Sequence, residues 1–359
     1  MSRSIPTPTV ATLRLAAQQI ASPSFTTPSA VVAHLTAMQA QDYRGALWSI
    51  GLRLPNATSR QVERAIADRQ IVRTWPMRGT LHFVAAADVR WMLRLLTPRI
   101  IKGGAGRRRQ IGLDDAAFAR SRKLFAKALR DRNSLTRDEM HDVLERAKIT
   151  TAGQRGYHIL ARLSMEGLLC FAEPRGKQHT FALLDEWIPT SRILDRDEAL
   201  AALAARYFRG HGPATSRDFA WWSGLTLRDA RAGIAMAASS LAEETINGAA
   251  YIVSRESAAA SDAARGVFLL PGFDELILGY TDRSATLDPA HAMRVVPGSN
   301  GVFMPTIVSN GRVVGTWKAA SAKGKVIVTP LPFTALSTEE TRVLRSAAAR
   351  YERFILRDG

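Results

Sequence analysis

Two glutamines stand one residue apart near the N-terminus, in the stretch AMQAQDYRGALW at residues 37–48. The side chains of Gln39 and Gln41 are neutral amides, and each offers an oxygen acceptor and two N–H donors. An amide can accept a hydrogen bond from a water molecule and hold it in place, but it is too weak a base to deprotonate that water early. The pair could therefore position a water without acting as a general base.

The two amides can serve one site only if the backbone between them is not a continuous helix. Residues two apart on an α-helix point about 200° away from each other, so Gln39 and Gln41 would face nearly opposite ways. The apolar helical spacing stops before the pair, and Asp42 is a suitable N-cap for the next segment. We predict a turn between helices at 29–38 and 43–52, from which both amides project toward one cleft. The alternative is that they cap helix ends and bind water.

Other catalytic signatures are absent from the sequence. It has no Walker, HExxH or GxSxG motif, and its seven histidines show no metal-ligand spacing. The single cysteine, Cys170, excludes a disulfide framework and a cysteine zinc site, and its apolar neighbours indicate a small core residue. His82 lies in a predicted strand, and it is either a partly buried strand histidine or a general base. We expect neither a metal nor a cofactor.

The elements around these residues repeat one plan, in which three helices precede a two-stranded hairpin. The first copy has its helices at 29–38, 43–52 and 59–69, with a hairpin that turns at 77–79. The second copy has helices at 114–131, 136–147 and 153–167, then a hairpin over 168–184. The third copy occupies 197–254, and Asn247-Gly248 marks its hairpin turn. This order is typical of winged helix-turn-helix units.

The last third of the chain has a different pattern. Alternating apolar segments with a second Asn-Gly turn, Asn310-Gly311, predict a small β domain, and Ser337 with Glu340 caps a terminal helix. The predicted fold class is α+β, mainly α, with three tandem winged helix-turn-helix units and a small C-terminal β domain. The predicted domains are 1–97, 98–190, 191–258 and 259–359.

The charge of the chain indicates a polyanionic partner. The 359 residues carry a formal net charge of +17, which favours nucleic acid first and an anionic membrane surface second. No window approaches the ~18 apolar residues of a membrane span, and the N-terminus lacks the apolar core of a signal peptide. We therefore expect a cytoplasmic protein that does not bind membranes. High-GC coding bias toward arginine is the alternative source of the charge.

The positive charge is densest between Pro98 and Arg137, where twelve Lys or Arg and three Asp give a local net charge of +9. This segment includes KGGAGRRRQ at 102–110, and we interpret its Arg107, Arg108 and Arg109 as part of a phosphate-contacting loop. A disordered, solvated linker is the alternative. Arginines on the predicted hairpins, such as Arg78 and Arg312, could also reach phosphates or a minor groove.

Four separated motifs carry a family resemblance. LTAMQAQDYRGALWSIGLR, VRTWPMRGTLHFVAAADVRWML, LLPGFDELILGYTDRS and NGRVVGTWK resemble, in this order and spacing, the AlkZ-like family of bacterial DNA glycosylases. The likeness covers essentially the whole chain. It implies tandem winged-helix units in a C shape, with duplex DNA held on a concave basic face. It also implies removal of bulky N-alkylated purines, including the unhooking of interstrand crosslinks.

The resemblance also implies which residues act. A glutamine, an apolar residue and a second glutamine form the family's catalytic motif, and Gln39-Ala40-Gln41 matches it. The related branch resembling YcaQ has an aspartate at the second position, so this chain is nearer to the branch linked to self-resistance against DNA-alkylating natural products. Asp42, which follows the motif, is interpreted as a helix cap.

The family also uses a β-hairpin in the DNA cleft. We assign that hairpin to Asn310, Gly311 and Arg312, with Arg312 in the minor groove. The first wing, near Arg78 and His82, is the rival assignment.

Lesion chemistry explains why neutral amides would suffice. A purine alkylated at N7 or N3 is cationic, so its glycosidic bond is already weakened and the base leaves without protonation. What remains is to stabilise an oxocarbenium-like sugar and to hold a water against C1′. We expect Gln41 to position the water and Gln39 to orient it or touch the sugar. Uncharged lesions should be poor substrates.

We predict a monofunctional DNA glycosylase, a hydrolase that needs no cofactor. A bulky base favours an open cleft without full base flipping, and one cleft per chain favours a monomer associated with the nucleoid. Two other classes remain open. One is a non-catalytic winged-helix regulator, and the other is an inactive relative that only shields lesions.

Overall fold

A computed structural model describes residues 9–256, 265–299, 301–322 and 325–356. The chain forms two compact units. The two-segment unit comprises Met1–Glu63 with Leu200–Gly359, and the central unit comprises Arg64–Ala199. The predicted domain boundary at 258/259 lies outside the described residues, and the boundaries after residues 97 and 190 stay predictions.

The elements follow each other along the chain in an irregular alternation of helices and strands. The first are α1 (Val10–Ala17), α2 (Pro28–Leu35), β1 (Ala37–Gln39), α3 (Tyr43–Gly51), α4 (Ser59–Ala67), β2 (Ile71–Met77), β3 (Thr80–Ala85), α5 (Val89–Gly103) and α6 (Ala105–Gln110). Next come α7 (Asp115–Ala128), β4 (Leu135–Thr136), α8 (Arg137–Arg146), α9 (Arg155–Met165), β5 (Leu169–Phe171), β6 (Thr180–Leu183) and α10 (Leu184–Trp187). The third group is α11 (Arg196–His211), α12 (Ser216–Ser223), α13 (Leu227–Met236), β7 (Leu241–Ile246) and β8 (Ala249–Ser254). The last are β9 (Val267–Leu270), α14 (Glu275–Leu278), α15 (Ala292–Val295), β10 (Thr306–Ser309), β11 (Arg312–Ala322), β12 (Lys325–Pro332) and α16 (Thr338–Leu356).

The mainly helical α+β class predicted from the sequence is confirmed. Three helices followed by a hairpin occur three times in chain order, as α2–α4 with β2–β3, α7–α9 with β5–β6, and α11–α13 with β7–β8. The local signals that predicted them are present as hydrogen bonds. Thr136 and Glu139 form a reciprocal capping box, and Asn247-Gly248 turns the third hairpin with positive φ angles of 52° and 79°.

The central unit has one antiparallel sheet packed on helices. Its strands have the order β3-β2-β5-β6-β4. The helices α7, α8 and α9 bury their apolar faces in one cluster with this sheet, because apolar side chains recur at helical spacing along each of them. The cluster includes Phe118, Phe125, Met140, Leu144 and Ile159.

The C-terminal part of the two-segment unit is a four-stranded antiparallel sheet with the order β12-β11-β10-β9. The indole of Trp48, on α3, fastens this sheet because its Nε1–H donates to the Leu269 carbonyl at 2.7 Å. The rings of Tyr351 and Phe354, on α16, each lie 5.1 Å from that indole. The helix α16 is therefore part of the core that holds α3 in place.

Two local predictions were wrong. The basic stretch 102–110, predicted to be a loop or a linker, continues α5 to Gly103 and then forms α6. Arginine is a good helix former, and the Arg108 guanidinium donates to the Ile101 carbonyl. These two contributions outweigh the free-energy cost of placing glycines in a helix. The helix predicted over 29–38 ends at Leu35.

The contact between α3 and α16 predicts the effect of adding one methyl group. A Cβ at Gly51 would lie 2.2 Å from the Phe354 ring, which is itself buried, so Gly51→Ala should destabilise the fold by about 1–3 kcal/mol. Gly106 lies in α6 with open space around it, and Gly106→Ala is the matched control, expected to be neutral or to stabilise by up to about 1 kcal/mol. Urea unfolding of both variants measures the difference. Equal stabilities would contradict this packing.

Candidate active site

The glutamine pair lies on the short segment between α2 and α3, where Gln39 ends the strand β1 and Gln41 lies in the bend before α3. Met38 and Ala40 are buried, whereas Gln39 is half-buried and Gln41 is exposed. Buried and accessible residues alternate from Met38 to Gln41, so both amides are accessible while their neighbours Met38 and Ala40 face the core. The expected helix break exists, but it follows Leu35 and leads into a strand, β1, rather than into a turn between two helices.

The residue that redirects the chain into this segment is Thr36. Its backbone has φ 70° and ψ −50°, in a region that a β-branched side chain rarely adopts, and the residue is fully buried. Such conformations cost on the order of 1–3 kcal/mol and persist only where the surroundings enforce them. The surrounding contacts must therefore hold the 37–41 segment in place.

One of those contacts is a buried carboxylate behind Gln39. Glu275 is 1% exposed, and its Oε1 accepts the backbone N–H of Gln39 at 3.1 Å. Its Oε2 accepts the indole N–H of Trp222 at 2.9 Å and faces His211 Nε2 at 3.4 Å. A carboxylate only accepts, so the His211 nitrogen that faces it carries the hydrogen. These donors offset the cost of burying the acid.

The neighbouring residue, Asp274, fixes the position of Glu275. Its carboxylate makes two parallel hydrogen bonds of 2.9 Å with the Arg53 guanidinium, and both side chains are fully buried. It also accepts from Ser49 Oγ at 2.6 Å and from the Leu276 N–H at 3.0 Å, which caps α14. This network links the short helix that carries Glu275 to α3, which follows the glutamines.

The two side chains that face Glu275 Oε2, His211 and Trp222, are packed among aromatic rings. The imidazole of His211 stacks on Tyr207 at 4.8 Å, and the Trp222 ring lies 5.0 Å from Tyr207. The Tyr280 hydroxyl donates to the His211 carbonyl at 2.7 Å. Burial raises the pKa of both the Tyr207 and the Tyr280 hydroxyls, so these two groups remain protonated donors.

Sequence reasoning assigned no role to Arg53, Asp274 or Glu275. The available signal was an adjacent pair of acids inside the apolar motif LLPGFDELILGY. Charged residues in such a run are buried only when they are paired. Gln39 and Arg53, which they bind, lie more than 200 residues away in the sequence, so no local pattern could identify these contacts.

Asp42 occupies the N-cap position of α3, as predicted, with extended φ and ψ. Its side chain makes no capping hydrogen bond to the first turn of α3, residues 43–46, all of which the structure describes. The carboxylate lies instead against Gly45, where a Cβ would come within 2.5 Å of its Oδ2. Glycine at this position leaves room for the Asp42 carboxylate beside the start of α3.

His82 is a fully buried strand histidine, as one of the two readings expected. Its Nδ1 lies 3.0 Å from the Thr80 carbonyl oxygen, which only accepts, so Nδ1 carries the hydrogen. The other nitrogen, Nε2, is then an acceptor for the Arg78 guanidinium at 3.2 Å. Arg78 itself is half-buried at the turn between β2 and β3, with φ 53°. Its bond to His82 holds the guanidinium at this turn.

The predicted DNA-contacting turn at Asn310, Gly311 and Arg312 forms with φ angles of 48° and 86° at its first two residues. Gly311 is buried, and a Cβ there would come within 2.8 Å of Ala11. Asn310 exchanges hydrogen bonds with Gly266 at 2.9 and 3.0 Å, whereas the Arg312 side chain is exposed. The turn is thus packed into the fold on two sides, and its assignment to the groove stays a prediction.

The next hairpin is longer and less covered. Strands β11 and β12 pair over eight positions, from Gly315 with Pro332 to Ala322 with Lys325. Lys318 and Lys325 are both exposed along it. By exposure and charge, this hairpin fits a phosphate backbone better than the Asn310 turn does.

The three arginines of α6 differ in their surroundings. Arg107 and Arg109 are exposed, and Arg107 donates to the Gln154 side-chain oxygen at 3.2 Å. Arg108 is half-buried and bonded to the Ile101 carbonyl, and burial lowers its pKa. Arg107 and Arg109 therefore remain candidates for phosphate contact, while Arg108 holds the junction between α5 and α6.

The described residues contain neither a candidate metal cluster nor a candidate membrane span. No group of three or more His, Cys, Asp or Glu side chains in those ranges could hold a metal ion. No helix within them is long and apolar enough to span a membrane. The candidate site consists of the two glutamine amides and the buried groups that hold their segment.

The carboxylate behind Gln39 predicts a specific sensitivity. In Glu275→Gln, the amide oxygen would keep the side that meets both Trp222 and His211, so its NH₂ would face the Gln39 N–H and that buried hydrogen bond is lost. We expect a loss of about 1–3 kcal/mol in the free energy of unfolding, and loss of the amide-exchange protection of Gln39. Glu244→Gln, an exposed carboxylate on β7, is the control and should change neither. Unchanged protection in Glu275→Gln would contradict the assigned bond.

Comparisons with known proteins agree with this geometry. The family model described as DNA glycosylase AlkZ-like matches residues 32–354. An interstrand DNA cross-link repair glycosylase of Streptomyces sahachiroi is 29% identical, over 86% of each chain. The solved structure of Streptomyces sahachiroi DNA glycosylase AlkZ superposes with a TM-score of 0.79 over 98% of each chain, at 26% identity. The protein belongs to the AlkZ-like family of DNA glycosylases.

Proposed function

We propose that this protein hydrolyses the N-glycosidic bond of cationic N-alkylated purines in duplex DNA, with Gln39 and Gln41 as its catalytic residues. The observation that carries the proposal is the pair of accessible neutral amides on the short segment between α2 and α3. That segment is fixed from behind through the bond between the Gln39 N–H and Glu275. Membership of a DNA glycosylase family supports the reaction class.

The proposed hydrolysis needs no general acid to protonate the leaving base. Water held by the Gln41 side-chain oxygen attacks C1′ as the bond from C1′ to the purine nitrogen breaks. The bonding electron pair goes to that nitrogen and neutralises the positive charge of the alkylated ring. The attacking water loses a proton to solvent, which leaves a free base and an abasic sugar. Gln39 orients the water or contacts the sugar, so both amides act through position.

The substrate class follows from what the amides lack. Neither amide brings a negative charge to the developing sugar cation, so the lesion itself must supply the driving force through its own positive charge. N7-alkylguanine and N3-alkyladenine meet this requirement, whereas uncharged lesions do not. We therefore include uncharged base lesions among the predicted poor substrates.

The relative from Streptomyces sahachiroi is named for interstrand crosslink repair. We propose that this protein likewise unhooks interstrand crosslinks formed through N7 of guanine, and that it gives self-resistance to a DNA-alkylating natural product. A bulky or crosslinked base favours excision in an open cleft without full extrusion of the nucleotide, in contrast to glycosylases that flip the base into a closed pocket.

Duplex binding is proposed to rest on exposed cations. Arg107 and Arg109 of α6, with Lys318 and Lys325 of the β11–β12 hairpin, are exposed and would contact phosphates. Arg78 and Arg312 remain further candidates, and Asn310 and Gly311 would shape the turn that carries Arg312. The working form is proposed to be a monomer in the cytoplasm at the nucleoid.

Release of 7-methylguanine from a methylated duplex tests the proposal. The wild type should release the base, and Gln39→Ala and Gln41→Ala should each lower the single-turnover rate by at least about 100-fold, the scale of losing positional control. Gln110→Ala, an exposed glutamine at the end of α6, is the control and should retain the wild-type rate. All variants should bind undamaged duplex equally.

Two results would count against this account. Tight duplex binding without any base release by the wild type would favour the non-catalytic regulator or an inactive relative. Full activity in both alanine variants would place catalysis elsewhere. A substrate series with 7-methylguanine and the uncharged base hypoxanthine tests the predicted requirement for charge.

A further inference from the structure

A cavity with a volume of about 300 Å³ lies within the central unit. It opens between the hairpin β2–β3, the helix α9 and the hairpin β5–β6. Its walls are mainly aromatic, formed by Trp75, Tyr157, Phe171 and Phe181, with Arg73 and His179 at the polar side. Small-molecule sites are typically apolar concavities of this size with a few placed polar groups.

The rings are arranged as a stacking surface. Trp75 and Phe171 lie 5.3 Å apart at an interplanar angle of 31°, and Phe171 and Phe181 lie 4.5 Å apart at 34°. Tyr157 meets Trp75 edge-on at 6.3 Å and is 38% exposed, so it stands at the mouth of the cavity. Aromatic faces of this kind bind planar bases by stacking, whatever the identity of the base.

One wall residue has an unsatisfied donor. Trp75 is 3% exposed, and its indole N–H has no hydrogen-bond acceptor among the residues that the structure describes. A buried indole N–H usually has a partner, so this donor is available to an acceptor that enters the cavity. A ligand atom in the cavity would supply it.

Positive charge lies beside the rings. The Arg73 guanidinium stands 4.7 Å from the centre of the Phe171 ring and is 5% exposed. Burial, and then the Arg73 charge, lower the pKa of His179 to about 4, so that imidazole is neutral near pH 7. The lining also holds Arg137 and one carboxylate, Asp138, so its two arginines outnumber its acids and the cavity suits an electron-rich ring with acceptor atoms better than a cation.

We propose that this cavity binds a planar heteroaromatic ring bearing a hydrogen-bond acceptor, which is the chemistry of a nucleobase. The ring stacks on Trp75 and Phe171, and an acceptor on its edge takes the indole N–H. The ring could belong to a free nucleoside or to an unpaired base in bound DNA. This site lies in the central unit and uses neither Gln39 nor Gln41, so it goes beyond the proposed excision.

Fluorescence titration with 2-aminopurine tests the site, because stacking quenches this base. One probe is the free 2-aminopurine deoxynucleoside, and the other is a duplex with a single unpaired 2-aminopurine, compared with the fully paired duplex. None of these carries an alkylated purine, so the outcome does not depend on base excision. We expect saturable quenching of at least one of the two probes.

Three variants make the test specific. Trp75→Phe keeps a ring but removes the donor, and should weaken binding roughly three- to tenfold. Tyr157→Ala removes a wall at an exposed position and should weaken binding by about fivefold or more. Trp187→Phe is the matched control, because Trp187 is another buried indole of this unit that does not line the cavity. It should bind like the wild type.

Binding of the free nucleoside would identify a pocket for a free ligand, and binding of the unpaired base alone would identify a DNA pocket. Either result, with the expected loss in the variants, supports the proposal. Binding of neither probe by the wild type overturns it, as does an unchanged affinity in Tyr157→Ala and Trp75→Phe. If Trp75→Phe fails to fold by its thermal unfolding curve, Tyr157→Ala decides alone.

Discussion

The hydrogen bond from the Gln39 backbone to the Glu275 carboxylate is the contact on which the candidate site depends. A buried acid with only acceptor atoms needs converging donors, and the donors come from Gln39, His211 and Trp222. This requirement joins the N-terminal segment to helices and a turn more than 170 residues later in the chain. It gives a physical reason why Met1–Glu63 and Leu200–Gly359 form one compact unit.

Local signals predicted most of the elements, because capping and turn geometry depend on residues within a few positions. The cap formed by Ser337 with Glu340 and the two Asn-Gly turns form as expected. The end of α2 was misplaced because Met38 fits the helical spacing, while nothing in the sequence signals a positive φ at Thr36. The α6 helix was not predicted because its glycines indicated a loop more strongly than its arginines indicated a helix.

The site itself was only half visible in the sequence. Family resemblance singled out Gln39 and Gln41, and their spacing correctly required that the helix end before them. The supports, Arg53, Asp274 and Glu275, could not be found locally because each acts across more than 200 residues. The sequence therefore predicted the two amides that we propose as catalytic, and it gave no local sign of the buried groups that hold their segment.

In the proposed mechanism, neutral amides on a segment held by a buried carboxyl group cleave the glycosidic bond of an already cationic base. The most direct measurement is the single-turnover rate of 7-methylguanine release with saturating enzyme, from pH about 5.5 to about 8.5, a range that spans the ordinary histidine pKa. Because amides do not titrate there, the account predicts a rate that stays constant within about twofold. A rise of about tenfold through a single inflection would show a titrating general base and contradict it.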